Sequence, residues 1–156
     1  DLLIDDGLAI ATEAGLERAN RLGTTDDIEM VVRDYGVDEV IIALRRIGGL
    51  RGVVHSYSGS AEQAAQLWKL GFSLGIGGPV TYERAQRLRR IVASMPIEFL
   101  LLETDAPDQP DQFHRGIRNE PANLPVVAQT VADLRGVSLQ EIASATSVNA
   151  QRLFAL

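Results

Sequence analysis

The sequence has 156 residues, a net charge of −6 and no cysteine. That length gives one domain with room for a core, short of the ~250 residues typical of a closed eight-stranded α/β barrel. The missing cysteines exclude a disulfide framework and thiolate chemistry, and the acidic balance argues against a surface built to coat nucleic acid.

No stretch is long and apolar enough to span a membrane, and the amino terminus is acidic where a secretory signal is basic, so a soluble cytoplasmic protein with no membrane partner is expected. The first third reads as helical. Leu8, Ala11, Gly15, Ala19 and Leu22 share one helical stripe. Thr24 and Thr25, followed by Asp26, Asp27 and Glu29, form an N-terminal cap for a helix that buries Ile28, Val31, Val32 and Tyr35. Val37, Val40, Ile41, Leu44 and Ile47 make a third stripe, stopped by Gly48 and Gly49.

From Arg51 the pattern changes. Arg51 to His55 is short, β-branched and followed by a Ser-Tyr-Ser-Gly-Ser turn, which predicts a strand leading into a loop. Ser60, with Gln63 three residues on, forms a capping box for a helix carrying Leu67 and Leu70 and closed by Gly71. Phe72 to Ile76 alternates as a second strand and runs into Gly77-Gly78-Pro79. Thr81 is placed to cap the next helix, whose buried side is Ala85, Leu88, Ile91 and Val92. Phe99 to Leu102 is an apolar run of the kind buried on both faces of a parallel sheet, and it ends in Glu103-Thr104-Asp105-Ala106-Pro107. Three strands alternating with helices is the βαβ pattern.

After Pro107 an irregular stretch to Arg118 carries Asp108, Asp111, His114 and Arg115, too polar for core and long enough for a functional loop. Asn119 and Pro121 start a helix with Val127, Thr130, Val131 and Leu134 inward. Ser138 with Glu141 is a second capping box, and Ser147 starts a short last turn ending in Leu153 and Phe154. The chain is expected to be a single domain, with residues 1–50 a helical segment and 51–156 the α/β part.

Parity along regular strands puts His55 on the face of Val53, and Asp105 on the face of Glu103 and Leu101, so His55 and Asp105 converge at one sheet edge. An imidazole and a carboxylate there suit a divalent metal or a general acid/base pair. The plainer alternatives are a hydrogen-bonded histidine, and carboxylates that only cap the loop. Gly75, Gly77 and Gly78 allow close backbone approach to a substrate, or simply fit a tight turn, which is the preferred reading.

Five blocks in order, Val53 to Ser60, Gly71 to Gly78, Leu102 to Pro107, Arg118 to Pro121, and Asn149-Ala150 before Leu153-Phe154, resemble the carboxyl-terminal part of the TatD-type metal-dependent hydrolases, over roughly residues 37 to 156. The resemblance implies an α/β fold that is part of an amidohydrolase-like (β/α) TIM barrel: three parallel strands with flanking helices and a helical amino-terminal segment. It implies a divalent-metal-dependent DNase or phosphoesterase with a two-metal centre (Mg, Mn or Zn) and metal-activated water as nucleophile. His55 and Asp105 become metal ligands, Asp105 also the catalytic residue that orients or deprotonates the water, and Glu103 a bridge between a ligand and the backbone. Asn119-Glu120-Pro121 holds the long loop against the last helices.

The family's His-x-His pair and its further Glu and His are missing from this sequence, and two ligands are fewer than the three protein ligands usual for a catalytic ion. The expectation is a barrel fragment with half a metal centre, or a relative without the first half. Its open side would be covered by the amino-terminal helices, a second copy or another polypeptide. DNA or another phosphoester is the expected substrate. The alternatives are a catalytically inactive binding or oligomerising module and a metal-dependent hydrolase of a non-phosphate substrate.

Overall fold

The computed structural model describes residues 41–42 and 44–155. The chain divides into two compact units, residues 1–48 and 49–156. In the first, residues 41–42 and 44–47 are helical, as the third stripe predicts; the helices expected over 8–22 and 28–35 lie outside the described residues.

The second unit is built on three parallel strands in the order β1-β2-β3: β1 Gly52–Val54, β2 Phe72–Ile76 and β3 Leu100–Leu102. Val54 pairs with Leu74, and Ile76 with Leu102. Parallel neighbours need long crossovers, and helices supply them: α1 (Ala61–Lys69) joins β1 to β2, and α2 (Gln86–Ser94) joins β2 to β3. Helices α3 (Leu124–Arg135) and α4 (Leu139–Phe154) follow. β2 is buried along nearly its whole length, Ser73 included, so its apolar-polar alternation marks no solvent face. Around it Leu67, Leu74, Ile76, Val92, Leu100 and Val131 are fully enclosed, each worth about 1.5–3 kcal/mol of apolar burial.

Both capping boxes form. Ser60 Oγ accepts the Gln63 N–H at 3.2 Å and the Gln63 side chain accepts the Ser60 N–H at 2.9 Å; Ser138 and Glu141 do the same at the head of α4. Gly136, with φ of 67°, ends α3 in the left-handed conformation that glycine adopts without strain. Arg135 in the last turn of α3 reaches across to α2, donating to the carbonyls of Val92 and Met95 at 2.7 and 2.9 Å.

Several local expectations fail, one of them to a longer-range bond. Thr81 caps no helix: it is buried in a short 3-10 turn (Gly78–Thr81), donates to the Gly78 carbonyl at 2.7 Å and accepts the N–H of Gln112 at 2.9 Å, while α2 starts at Gln86 behind Ala85. On α2 only Ile91 and Val92 are fully buried; Ala85 and Leu88 are half-exposed. Phe99 belongs to a 3-10 turn (Ile97–Phe99), so the strand is shorter than the apolar run. Ser147 starts nothing, since α4 runs unbroken through it. On α3, Val127, Ala128, Val131 and Ala132 form the buried stripe, with Thr130 and Leu134 at its border. Among the described residues no helix is long and apolar enough to cross a membrane.

Candidate functional site

The carboxyl ends of β1 and β3 carry the site, though not by strand parity. β1 stops at Val54 and β3 at Leu102, so His55 and Asp105 both stand on the loops beyond. Ser56 and Asp105 have φ of 48° and 57°, left-handed conformations that cost a residue with a Cβ of order 1 kcal/mol or more and turn the chain sharply toward a common point. The peptide between Ala106 and Pro107 is cis.

The His55 ring lies between two carboxylates. Its Nε2 is 2.8 Å from Asp105 Oδ1, and its Nδ1 is 2.7 Å from Glu103 Oε2. Glu103 spends its other oxygen on the backbone, accepting the N–H of Ser56 at 2.6 Å, so β3 holds both the imidazole and the peptide that follows it. The Gln109 side chain donates to Asp105 Oδ2 and, at 3.1 Å, to Ser56 Oγ. His55 is 54% exposed against 15% for Glu103 and 26% for Asp105: the imidazole faces solvent from a carboxylate floor. Partial burial pulls the imidazole down, but the Asp105 hydrogen bond and the charge and hydrogen bond of Glu103 outweigh it, leaving the group above its ordinary value of 6.5. Next to it, burial pushes the Tyr57 phenol up to about 12, and its O–H donates to the Ser60 carbonyl.

The glycines clear this space. A methyl group on Gly75 would occupy the place of the Glu103 carboxylate, and one on Gly78 would run into the backbone of residues 109–111. Neither residue has the positive φ that a glycine-requiring turn would show. The tight-turn reading therefore gives way to one of close approach, by this chain's own segments. The long loop is also less polar in placement than in composition. Asp111 is 1% exposed, accepts the N–H of Phe113 at 2.9 Å and holds His114 Nδ1 at 2.7 Å. Asn119 is buried and fastens the loop to its own start, where the sequence predicts a hold against the last helices: its amide donates to the carbonyls of Thr104 and Asp108 while its oxygen accepts the N–H of Glu120.

Sequence reasoning gave Gln109, Asp111 and Gly75 no place in this network. Of the three only Gly75 left a sign, a glycine inside a strand pattern, which marks the close approach of another group.

Two donors bound to one small divalent cation at about 2.1 Å sit about 3 Å apart at a right angle. Nε2 of His55 and Oδ1 of Asp105 fit two neighbouring corners of such a shell, and Glu103 on Nδ1 fits the carboxylate that fixes the tautomer of a metal-binding histidine. Among the described residues no group of three or more His, Asp or Glu side chains could hold a metal ion. Among the described residues the site thus offers two neighbouring donor atoms and a carboxylate bonded to the opposite ring nitrogen.

Comparison with known proteins finds relatives over most of the chain. The TatD-related DNase family matches residues 24–155. The uncharacterized metal-dependent hydrolase YjjV of Escherichia coli is 43% identical over 156 residues, 99% of this chain and 60% of that protein. The uncharacterized metal-dependent hydrolase YabD of Bacillus subtilis is 35% identical over 148 residues, 94% of this chain and 54% of that one. The 3'-5' ssDNA/RNA exonuclease TatD of Erwinia amylovora is 40% identical over 109 residues, covering 67% of this chain and 42% of its own length. The crystal structure of YjjV superposes with a TM-score of 0.66 at 29% identity, over 97% of this chain and 71% of that one. The chain spans between about half and three-fifths of the length of YabD and YjjV.

Proposed function

This chain belongs to the TatD-related DNase family, and from that premise we propose that it carries one side of the centre of a divalent-metal-dependent phosphodiester hydrolase, acting on DNA or another phosphoester. The observation that carries the reading is the 2.8 Å approach of His55 Nε2 to Asp105 Oδ1 with the opposite ring nitrogen held by Glu103. The name of the Erwinia amylovora relative supports a nucleic-acid substrate.

In this reading Glu103 keeps a proton on Nδ1, and Nε2, which faces Asp105 Oδ1 at 2.8 Å, would turn its lone pair to a cation in place of that contact. Ser56 N–H and the space left by Gly75 keep Glu103 in place. Asp105 would hold the cation through Oδ1, and its Oδ2, which accepts from the Gln109 amide, would be placed to take a proton from water. A bound divalent cation would supply Lewis acidity toward the phosphoryl oxygens and acidify water. The remaining donors would come from outside the described residues.

Titration with Mn²⁺ by calorimetry and turnover of bis(p-nitrophenyl) phosphate test this. His55→Ala and Asp105→Ala are each expected to lower kcat/KM by about 100-fold or more, about 2.7 kcal/mol of lost transition-state stabilisation. Rates equal to wild type in both variants would overturn the reading. A second reading, a non-catalytic binding or oligomerising module, is favoured by the two-donor set found among the described residues, since a catalytic ion usually takes three protein ligands. A well-folded chain that gives no specific heat with Mn²⁺ selects it.

A further inference from the structure

Beyond β3 the loop presents side chains that the site does not use. Phe113 is 72% and Ile117 61% exposed, the two most exposed large apolar side chains among the described residues. Arg115 and Arg118 flank them, both exposed and neither in an ion pair among the described residues. Asp111 binds His114 through Nδ1, which leaves Nε2 directed away from that carboxylate.

The loop is not free to fold its apolar groups away. Tyr82 O–H donates to the carbonyls of Pro110 and Asp111 at 3.0 and 3.3 Å, Thr81 accepts the N–H of Gln112, and the buried Asp111 carboxylate accepts the N–H of Phe113. On the far side the buried Asn119 donates to the Asp108 carbonyl at 2.7 Å. A phenyl ring kept in water by this many bonds leaves apolar surface exposed that a looser loop would bury.

We propose that residues 112–118 form a contact surface for single-stranded nucleic acid, with Phe113 as a stacking platform for one base and Arg115, Arg118 and His114 as phosphate contacts. The proposal rests on the phosphodiester reading above and adds the binding surface that reading lacks. An exposed aromatic ring with exposed arginines two and five residues on, neither in an ion pair among the described residues, supplies the two kinds of contact by which single strands are held, because every base has a π face and every nucleotide a charge. A duplex keeps its base faces stacked and offers the ring nothing. The surface is also joined to the site. Gln109 touches Asp105, the four steps along the chain from Gln109 to Phe113 reach at most about 14 Å, and Arg118 lines the cleft against Ala106 and Pro107, which follow Asp105. With a net charge of −6 the rest of the molecule opposes a polyanion, so binding falls to this local patch.

The test is fluorescence anisotropy of a fluorescein-labelled oligothymidylate of about ten nucleotides, in EDTA so that nothing is cleaved. Phe113→Ala is expected to weaken binding about tenfold, the size of one lost base stack, while Phe113→Trp restores it. Arg115→Ala with Arg118→Ala weakens binding and flattens its salt dependence by about two charges. No binding by wild type, or identical curves for wild type and Phe113→Ala, overturns the proposal. So does a Phe113→Ala variant that changes sedimentation but not anisotropy, which would make the patch a self-interface. The two readings fail separately: His55-dependent hydrolysis with binding indifferent to Phe113 removes only this inference, and Phe113-dependent binding without Mn²⁺-supported hydrolysis removes only the phosphodiesterase.

Discussion

β3 is held at both ends by side chains from far along the sequence. At its start Asn149, buried on α4, donates to the carbonyls of Ile97 and Leu100 at 2.7 and 2.9 Å. At its finish Glu103 and Asp105 grip His55. The first fastening is all to backbone: both amide protons of the buried Asn149 go to carbonyls, that of Leu100 enclosed and that of Ile97 also accepting the Leu100 N–H. In the second, an imidazole more than half exposed lies between two acids, and either acid can exchange it for water or a cation without opening the core. The same strand is therefore anchored at one end and left exchangeable at the other.

The largest break in this comparison is expected at the anchored end. Asn149→Ala takes a donor from the buried Leu100 carbonyl and one of two donors from that of Ile97, and should cost about 1–3 kcal/mol of stability, read as a lower urea midpoint. A midpoint unchanged from wild type would show that the two ends do not differ in kind. At the exchangeable end Gly75→Ala should do the reverse. The added methyl meets the far end of the Glu103 side chain, which swings away at a cost within about 1 kcal/mol, but His55 loses its orienting carboxylate. Affinity for Mn²⁺ should fall by about 10- to 100-fold by calorimetry, with the urea midpoint little changed. Undiminished affinity would remove Glu103 from the site.

The smallest effect sharpens the comparison at a purely local fastening, the Ser138–Glu141 box. Hydrogen bonds from the Ser138 backbone and side chain hold the Glu141 carboxyl below its ordinary value of 4.5. A carboxylate depressed by folding contributes stability above that value and loses it as the pH falls through the folded value. Glu141→Gln should therefore be less stable than wild type near neutral pH and approach it below about pH 4. A pH-independent difference would mean that packing, not the cap, sets the contribution.

Legibility in the sequence followed the span of the bonds. Ser60 with Gln63 and Ser138 with Glu141 were readable because both partners sit three residues apart on one turn. Thr81 looked like a cap of the same kind but bonds Gln112, 31 residues away, and no local pattern records that partner. Asp111 read as surface and is buried, because its turn closes over it and Tyr82 covers the adjoining backbone. Asn149 carried no legible role, since its two carbonyl partners lie about fifty residues back. His55 and Asp105 were singled out on the assumption of regular strands; two left-handed residues bring them together instead.

By itself the sequence determined the alternation of strands and helices, the caps that start two of those helices, and which residues able to hold a proton or a cation sit at strand ends. These follow from side-chain periodicity and from bonds that close within one turn. Only the tertiary structure decided where the strands stop, which glycine makes room for which carboxylate, and that the acid at 111 lies inside while the phenyl ring at 113 lies outside. Those outcomes depend on segments thirty or more residues apart competing for the same space and the same donors, and that competition is settled only when the chain packs.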